Sequence, residues 1–368
     1  MKKTVILLLV LAVAASCARE PKFRIAGTID GADSALMILQ KRIPGGYEVI
    51  DSVALANGAF EMTGVIDYPQ MVNLAIKGKR GGLNFYLENS EITIHGHADS
   101  LYQASVSGSK TQAEFDTYKA AFDESNNEMS KVYDRYREAR MAGNEALASE
   151  IEKELEALDA KQTEIKKEFI MNNPASFVAP VVLNELSYGL EADEMEALIG
   201  KLDTSLNKVQ IVTSMKERLV QLKAVSVGQK APDFTLNDVD GNPVSLYSKL
   251  GGNTKLLLVD FWAAWCPPCR QENPNVVKIW KEYNAKGFDV FGVSLDRSKE
   301  DWVKAISDDQ LTWTHVSDLK YWDCAPAKLY AVNSIPASFL LDGNGVIVGH
   351  NLRGEALAAK VKEVLDTK

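Results

Sequence analysis

The sequence predicts a multidomain chain of α and β structure, with an antiparallel β module, a central helical spacer and a C-terminal α/β domain in that order. Three observations carry this expectation. Between residues 22 and 108, strand-length apolar runs follow one another without an intervening helix. From 109 to 226, apolar residues recur at three- and four-residue intervals among many Glu and Lys. From 227 to 368, strand and helix patterns alternate.

Ahead of the module, residues 1–17 read as an export signal. "MKKTVILLLVLAVAASC" places two lysines before an apolar run from Val5 to about Ala15, then small residues and Cys17. The run is shorter than the roughly 18 to 20 residues that a membrane-spanning helix needs. Ala15-Ser16-Cys17 resembles the lipobox of bacterial lipoproteins, which implies a lipid on Cys17 and attachment to a membrane through it. Ala14 stands where that pattern has Leu, Val or Ile, so ordinary cleavage at Ala12-Val13-Ala14 is the alternative. Either route takes the chain to a compartment where disulfides form.

Composition narrows the class. The balance of 41 basic and 50 acidic residues, net −9, argues against a nucleic-acid partner, and no basic patch is interleaved with aromatics. A hydrophobic content of 46% is enough for sizeable cores.

In the β module, "FRIAGTID", "ALMILQKR", "YEVIDSVAL", "GAFEMTGVI", "MVNLAIKG", "LNFYLE" and "SEITIHGH" are rich in Val, Ile and aromatics and separated by turn residues. His95 and His97 share one face of the last of these and Ile92 and Ile94 the other; no third ligand is spaced to make the His pair a metal site. In the spacer, "AEFDTYKAAF", "MSKVYDRYREAR" and "ALASEIEKELEALDAKQTEIKKEFI" are amphipathic, with Leu147, Ile151, Leu155 and Leu158 in one stripe. Asn173-Pro174 ends that run, and shorter helices follow in "FVAPVVLNELSYGL" and "DEMEALIGKLD".

The α/β domain begins near Val227, where "VGQKAPDFTLNDVDGNPVSL" brings turn residues back. Strand "KLLLVDFW", helix "NPNVVKIWKEYNAKG", strand "FDVFGVSLD", helix "KEDWVKAISD", short strand "WTHVSD", helix "APAKLYAV", strands "ASFLLD" and "VIVGH", and helix "GEALAAKVKEVLDT" follow in turn. Asn344-Gly345 between the last two strands marks a hairpin.

The chemistry lies in "DFWAAWCPPCRQENP". Of the four cysteines, Cys17, Cys266, Cys269 and Cys324, only Cys266 and Cys269 are paired in sequence, and a structural zinc site wants a second pair. A purely structural crosslink over two intervening residues constrains the unfolded chain little. A reactive pair is the better account. Cys266 stands where a buried strand passes into a helix beginning near Pro267, so its thiolate faces the positive end of the helix dipole and becomes the nucleophile. Cys269, one turn inside and less exposed, resolves the mixed disulfide. Pro267 and Pro268 suit a first helical turn and carry no N–H, which leaves the amides of Cys269 and Arg270 to solvate the thiolate.

"LLVDFWAAWCPPC" resembles the active-site segment of the thioredoxin superfamily, and "CRQENP" with "APDFTL" is similar to its envelope-facing TlpA/ResA branch. The resemblance implies that Ile335-Pro336 in "VNSIPASFLLDGNGVIV" is a cis-proline loop facing the cysteines, where the backbone pairs with an extended substrate segment. It implies that Asp260 is a buried acid serving as base to Cys269, and that Glu272 is an acid kept beside the site; a helix-start charge is the alternative for Glu272. Trp265, Pro267, Ile335 and Pro336 form the expected substrate rim, with Trp262 a packing residue. Cys324 lies outside the pattern, as a buried spare thiol or an accessible third cysteine. "VIDSVALANGAFEMTGVID" and "FYLENSEITIHG" look like the β domain of unknown function found ahead of thioredoxin domains in Bacteroidota-type lipoproteins.

The expected activity is thiol:disulfide exchange in the cell envelope, facing the periplasm, with reduction of protein disulfides as its direction. No metal or dissociable cofactor is needed; electrons come from a membrane thiol reductant, since no flavin or nicotinamide fingerprint is present. Two other readings compete. A peroxiredoxin-like thiol peroxidase has Thr where Ala263 stands, and a non-catalytic envelope scaffold would have no use for the cysteine pair.

Overall fold

The computed structural model describes residues 22–43 and 45–366; the expected export signal and Cys17 lie outside them. The chain forms two compact units. One runs to Ile165 and includes Ser176–Val178; the other comprises Lys166–Ala175 and Ala179–Lys368.

The first unit opens with strands β1 (Phe23–Asp30), β2 (Leu36–Ile43), β3 (Gly46–Ala54), β4 (Ala59–Gly64), β5 (Gln70–Ile76), β6 (Leu83–Leu87), β7 (Glu91–His97) and β8 (Ser105–Ser107). They make two four-stranded sheets, β4-β1-β7-β8 and β3-β2-β5-β6. Pairing is antiparallel except between β1 and β7, where Ile25 lies beside Ile92. Alternation decides which residues face inward: Ile25, Met62, Ile92 and Ile94 from one sheet join Met37, Leu39, Leu74 and Phe85 from the other in a single core. His95 is exposed and its Nδ1 lies 2.8 Å from Thr28 Oγ1. Among the described residues no group of His, Cys, Asp and Glu side chains is placed to hold a metal ion.

Helix α1 (Lys110–Met141) is capped by Ser109, whose Oγ accepts from the Gln112 amide at 3.0 Å. The two patterns read separately in sequence thus form one 32-residue helix. α2 (Glu145–Asn172) turns back so that Val132 and Ala139 pack on Ala148, Ile151 and Leu158. Leu147, expected in that stripe, is 40% exposed at the start of α2, where it lines a surface hollow with Arg135 and Glu138.

The second unit carries α3 (Ala179–Leu186), α4 (Ala192–Ile199) and α5 (Gln210–Ala224), which bury Val182, Leu183, Met195, Met215 and Leu219. Next come β9 (Thr235–Asp238), β10 (Pro243–Ser245), β11 (Leu256–Trp262), α6 (Pro267–Tyr283), β12 (Phe288–Ser294), α7 (Lys299–Asp308), β13 (Thr314–Ser317), α8 (Ala325–Leu329), β14 (Ala337–Asp342), β15 (Ile347–His350) and α9 (Gly354–Asp366). The sheet order is β10-β9-β13-β12-β11-β14-β15. β11, β12 and β13 are parallel, while β14 and β15 return antiparallel through the Asn344-Gly345 turn, in which Asp342 accepts from the Asn344 and Val346 amides. β9 and β10 form an edge hairpin inside what reads in sequence as turn-rich chain, and α8 is only five residues long. β11 is central: every side chain but that of Asp260 is buried, so the CPPC turn leaves from a strand packed on both faces and paired on both edges.

Candidate functional site

The turn between β11 and α6 is held from below by the end of β12. Asp296 is buried, and its two carboxylate oxygens accept from the Ala264 amide at 3.1 Å each, while Ser294 Oγ donates to it at 2.8 Å. Burial pushes the Asp296 carboxyl above its usual range, against the lowering effect of the Ala264 amide. Trp265 Nε1 donates to the Leu295 carbonyl at 3.2 Å, which leaves its ring 42% exposed beside Tyr321 and Trp322.

Cys266 is the N-cap of α6, with Pro267 at the first helical position, and it is disulfide-bonded to Cys269. The Cys269 amide donates to Cys266 Sγ at 3.2 Å; the Arg270 amide donates instead to the Cys266 carbonyl at 3.1 Å. A sulfur with that amide beside it at a helix N-terminus is in a field that favours a thiolate. The two cysteines are 3% and 1% exposed, so the difference expected between an accessible outer and a hidden inner sulfur is slight.

Asp260 lies opposite Gly292 of β12 and Ser338 of β14. Its carboxyl is pushed up to about 7, first by burial, then by the charge of Glu272, with the Arg353 guanidinium pulling the other way. Glu272 sits on α6 and accepts from the Gly354 amide at 2.7 Å and from Asn275 Nδ2 at 3.1 Å. Arg353 in turn donates to the Pro336 carbonyl. The Ile335-Pro336 peptide is cis, and since Ala337 pairs with Phe261, Pro336 enters β14 beside the end of β11 from which the cysteine turn departs. Arg353, a residue with no sequence signal of its own, therefore links Pro336 to the charge environment of Asp260, while Glu272 reaches the same corner through the neighbouring Gly354 amide.

Asn273, Asp296 and Asp309, all near the cysteines, escape sequence reasoning. Arg270 Nη2 donates to Asp309 Oδ1 at 2.7 Å, and Asn273 Nδ2 to Asp309 Oδ2 at 2.7 Å, tying α6 to the end of α7. Asp296 and Asp309 follow a strand and a helix respectively, where acids are common and nothing in the pattern singles them out. Cys324 is a free thiol with no exposed surface, and burial pushes it up to about 11, which makes it the inert spare of the two alternatives.

Residues 227–350 match the AhpC/TSA family and residues 23–115 a domain of unknown function, DUF4369. The chain is 38% identical over 126 residues to the thioredoxin-like protein YneN of Bacillus subtilis, covering 33% of this chain and 69% of that protein. It is 32% identical over 124 residues to the thiol-disulfide oxidoreductase ResA of Geobacillus thermodenitrificans, covering 34% of this chain and 68% of that one. It also aligns with the crystal structure of the thioredoxin domain of a thiol-disulfide oxidoreductase from Bacteroides vulgatus, at 38% identity over 38% of this chain and 98% of that chain, with a TM-score of 0.36. The chain, with its β domain ahead of an AhpC/TSA thioredoxin-like domain, belongs to the ResA-like thiol-disulfide oxidoreductase family.

Proposed function

We propose that the protein reduces protein disulfides in the cell envelope by dithiol exchange at Cys266 and Cys269. The observation that carries this reading is the Cys269 amide donating to Cys266 Sγ at the N-terminus of α6. The Cys266 thiolate attacks one sulfur of a substrate disulfide; a new S–S bond forms and the other substrate sulfur leaves as a thiolate. Cys269 gives up its proton, attacks Cys266 Sγ and releases the second substrate sulfur. The substrate gains two electrons and the Cys266–Cys269 pair is left oxidised. Asp260, with its carboxyl near 7, is matched to take the Cys269 proton and return it in the next cycle. Glu272 raises Asp260 toward that value and Arg353 limits the rise. Trp265, Pro267, Ile335 and Pro336 form the rim on which the substrate segment lies. A protein dithiol, supplied through a membrane thiol reductant, restores the pair.

The test is reduction of a disulfide-bonded protein by the pre-reduced enzyme. Cys266→Ser should bring the rate to background, and Cys269→Ser should accumulate a mixed disulfide through Cys266. Peroxide consumed faster than disulfide, with the same dependence on Cys266, would replace this reading with a thiol peroxidase. Envelope attachment rests on the N-terminal signal, and fatty-acid labelling that disappears in Cys17→Ala checks it.

A further inference from the structure

One arginine of the second unit is spent on neither an ion pair nor the cysteine site. Arg218, on α5, reaches the loop that leads into Pro336. Its Nη1 donates to the Ala331 carbonyl at 3.3 Å, and the Asn333 side-chain amide, with its oxygen turned toward the guanidinium, accepts from Nη1 and Nη2. Its Nε is buried and meets no acceptor among the described residues, and the Tyr188 ring lies 5.7 Å from its charged centre. Among the described residues no carboxylate lies within ion-pair distance of Arg218, in a chain whose net charge is −9. Glu191, the acid nearest in the same pocket, is taken by His350 at 3.3 Å.

This guanidinium lines a cavity of about 100 Å³ with Tyr188, Ser334 and His350. Through Tyr188, Ala331, Val332 and Asn333 the cavity continues into an open groove of about 490 Å³ that ends at Trp322. The Trp322 ring packs on Trp265 at 6.1 Å, and Trp265 is followed by Cys266. One surface path thus runs from the aromatic rim at Trp265 and Trp322, along the loop before Pro336, to a half-buried arginine with no carboxylate partner among the described residues. A guanidinium fork is suited to a carboxylate, and a partly desolvated one is worth more than the same contact in water.

We infer that Arg218 and Asn333 form an acidic-residue subsite, which selects substrate segments carrying a Glu or Asp a few residues from the cysteine that Cys266 attacks. This rests on the exchange reading above and supplies its substrate class. In that class an extended segment, rising roughly 3.3 Å per residue, lies along the loop and its carboxylate reaches Arg218.

Disulfide-bonded peptides with Glu or Gln at successive positions beside the cysteine test it, with kcat/KM for each pair compared at low and high salt. At one position the wild-type protein should favour Glu over Gln roughly tenfold, the size of one charge-assisted hydrogen bond, and less so at high salt. In Arg218→Gln the Glu/Gln ratio should fall to about one, and in Arg218→Lys, which keeps the charge but loses the fork, it should lie between. The ratio cancels any change in the cysteine chemistry that the variants cause. A neutral small-molecule disulfide run in parallel separates the two readings. If it is reduced while the wild-type ratio stays near one at every position, or the ratio survives in Arg218→Gln, the subsite is overturned and the exchange reading stands. If no disulfide is reduced, the exchange reading falls and the subsite with it.

Discussion

Asp260 is a carboxyl placed where its neutral form is favoured. A free Asp titrates near about 3.9, and in the fold Asp260 is raised to about 7. Its protonated form is therefore stabilised by the fold. The stability it contributes is fully present below about pH 4 and is lost as pH rises through 7. Asp260→Asn should then raise unfolding free energy at pH 8 by about 2 kcal/mol, a figure discounted for the side chain's partial exposure, and the gain should vanish near pH 3.5. Urea unfolding at the two pH values checks the sign. The same variant should slow release of substrate from the mixed disulfide and remove any inflection near pH 7 from that step. A variant that is stabilised at pH 8 yet resolves the mixed disulfide at the wild-type rate would leave Asp260 a half-buried acid with no part in exchange.

At the scale of elements, the cysteine turn depends on contacts that the sequence does not announce. The end of β11 presents the Ala264 amide to a buried carboxylate at the end of β12. Asp296→Ala removes the acceptor of that amide and the oxygen to which Ser294 Oγ donates, so it should destabilise the second unit by about 2 to 3 kcal/mol. The urea midpoint measures this, and a drop below about 0.5 kcal/mol would mean that water replaces the carboxylate. The contrast with what was legible is instructive. The strand "LLVDFW", the helix starting at Pro267 and the hairpin at Asn344-Gly345 are legible because local pattern and tertiary position agree. Asp260 is singled out only through the family resemblance, which places an acid on the strand ahead of the cysteines. Asp296, Asp309 and Arg353 are not, since each acts across the sheet or between helices on a partner 17 to 39 residues away. The β9–β10 hairpin is missed because its Asn, Asp, Gly and Pro dominate two very short strands.

For the whole molecule, the six tryptophans provide a natural division. Trp262, Trp265, Trp280, Trp302, Trp313 and Trp322 all belong to the second unit, as do both cysteines of the disulfide. The first unit has its own core, the long helix α1 and α2 as far as Ile165, and no tryptophan. Tryptophan fluorescence during urea unfolding therefore follows the second unit alone, whereas far-UV circular dichroism follows both. If each core unfolds as its own cooperative step, the dichroism curve should carry a phase absent from fluorescence, and reducing the disulfide should shift the transition seen by fluorescence while leaving that extra phase in place. The direction of that shift bears on the direction of electron flow. By linkage, a pair that the fold holds in the disulfide form has a lower reduction potential than the same pair in the unfolded chain. A protein working as a reductant should then lose stability when its disulfide is reduced, with a shift of 1.4 kcal/mol corresponding to about 30 mV. A higher fluorescence midpoint in the reduced form would mean that the thiolate at the start of α6 is the favoured state, and would assign the protein as an oxidant instead.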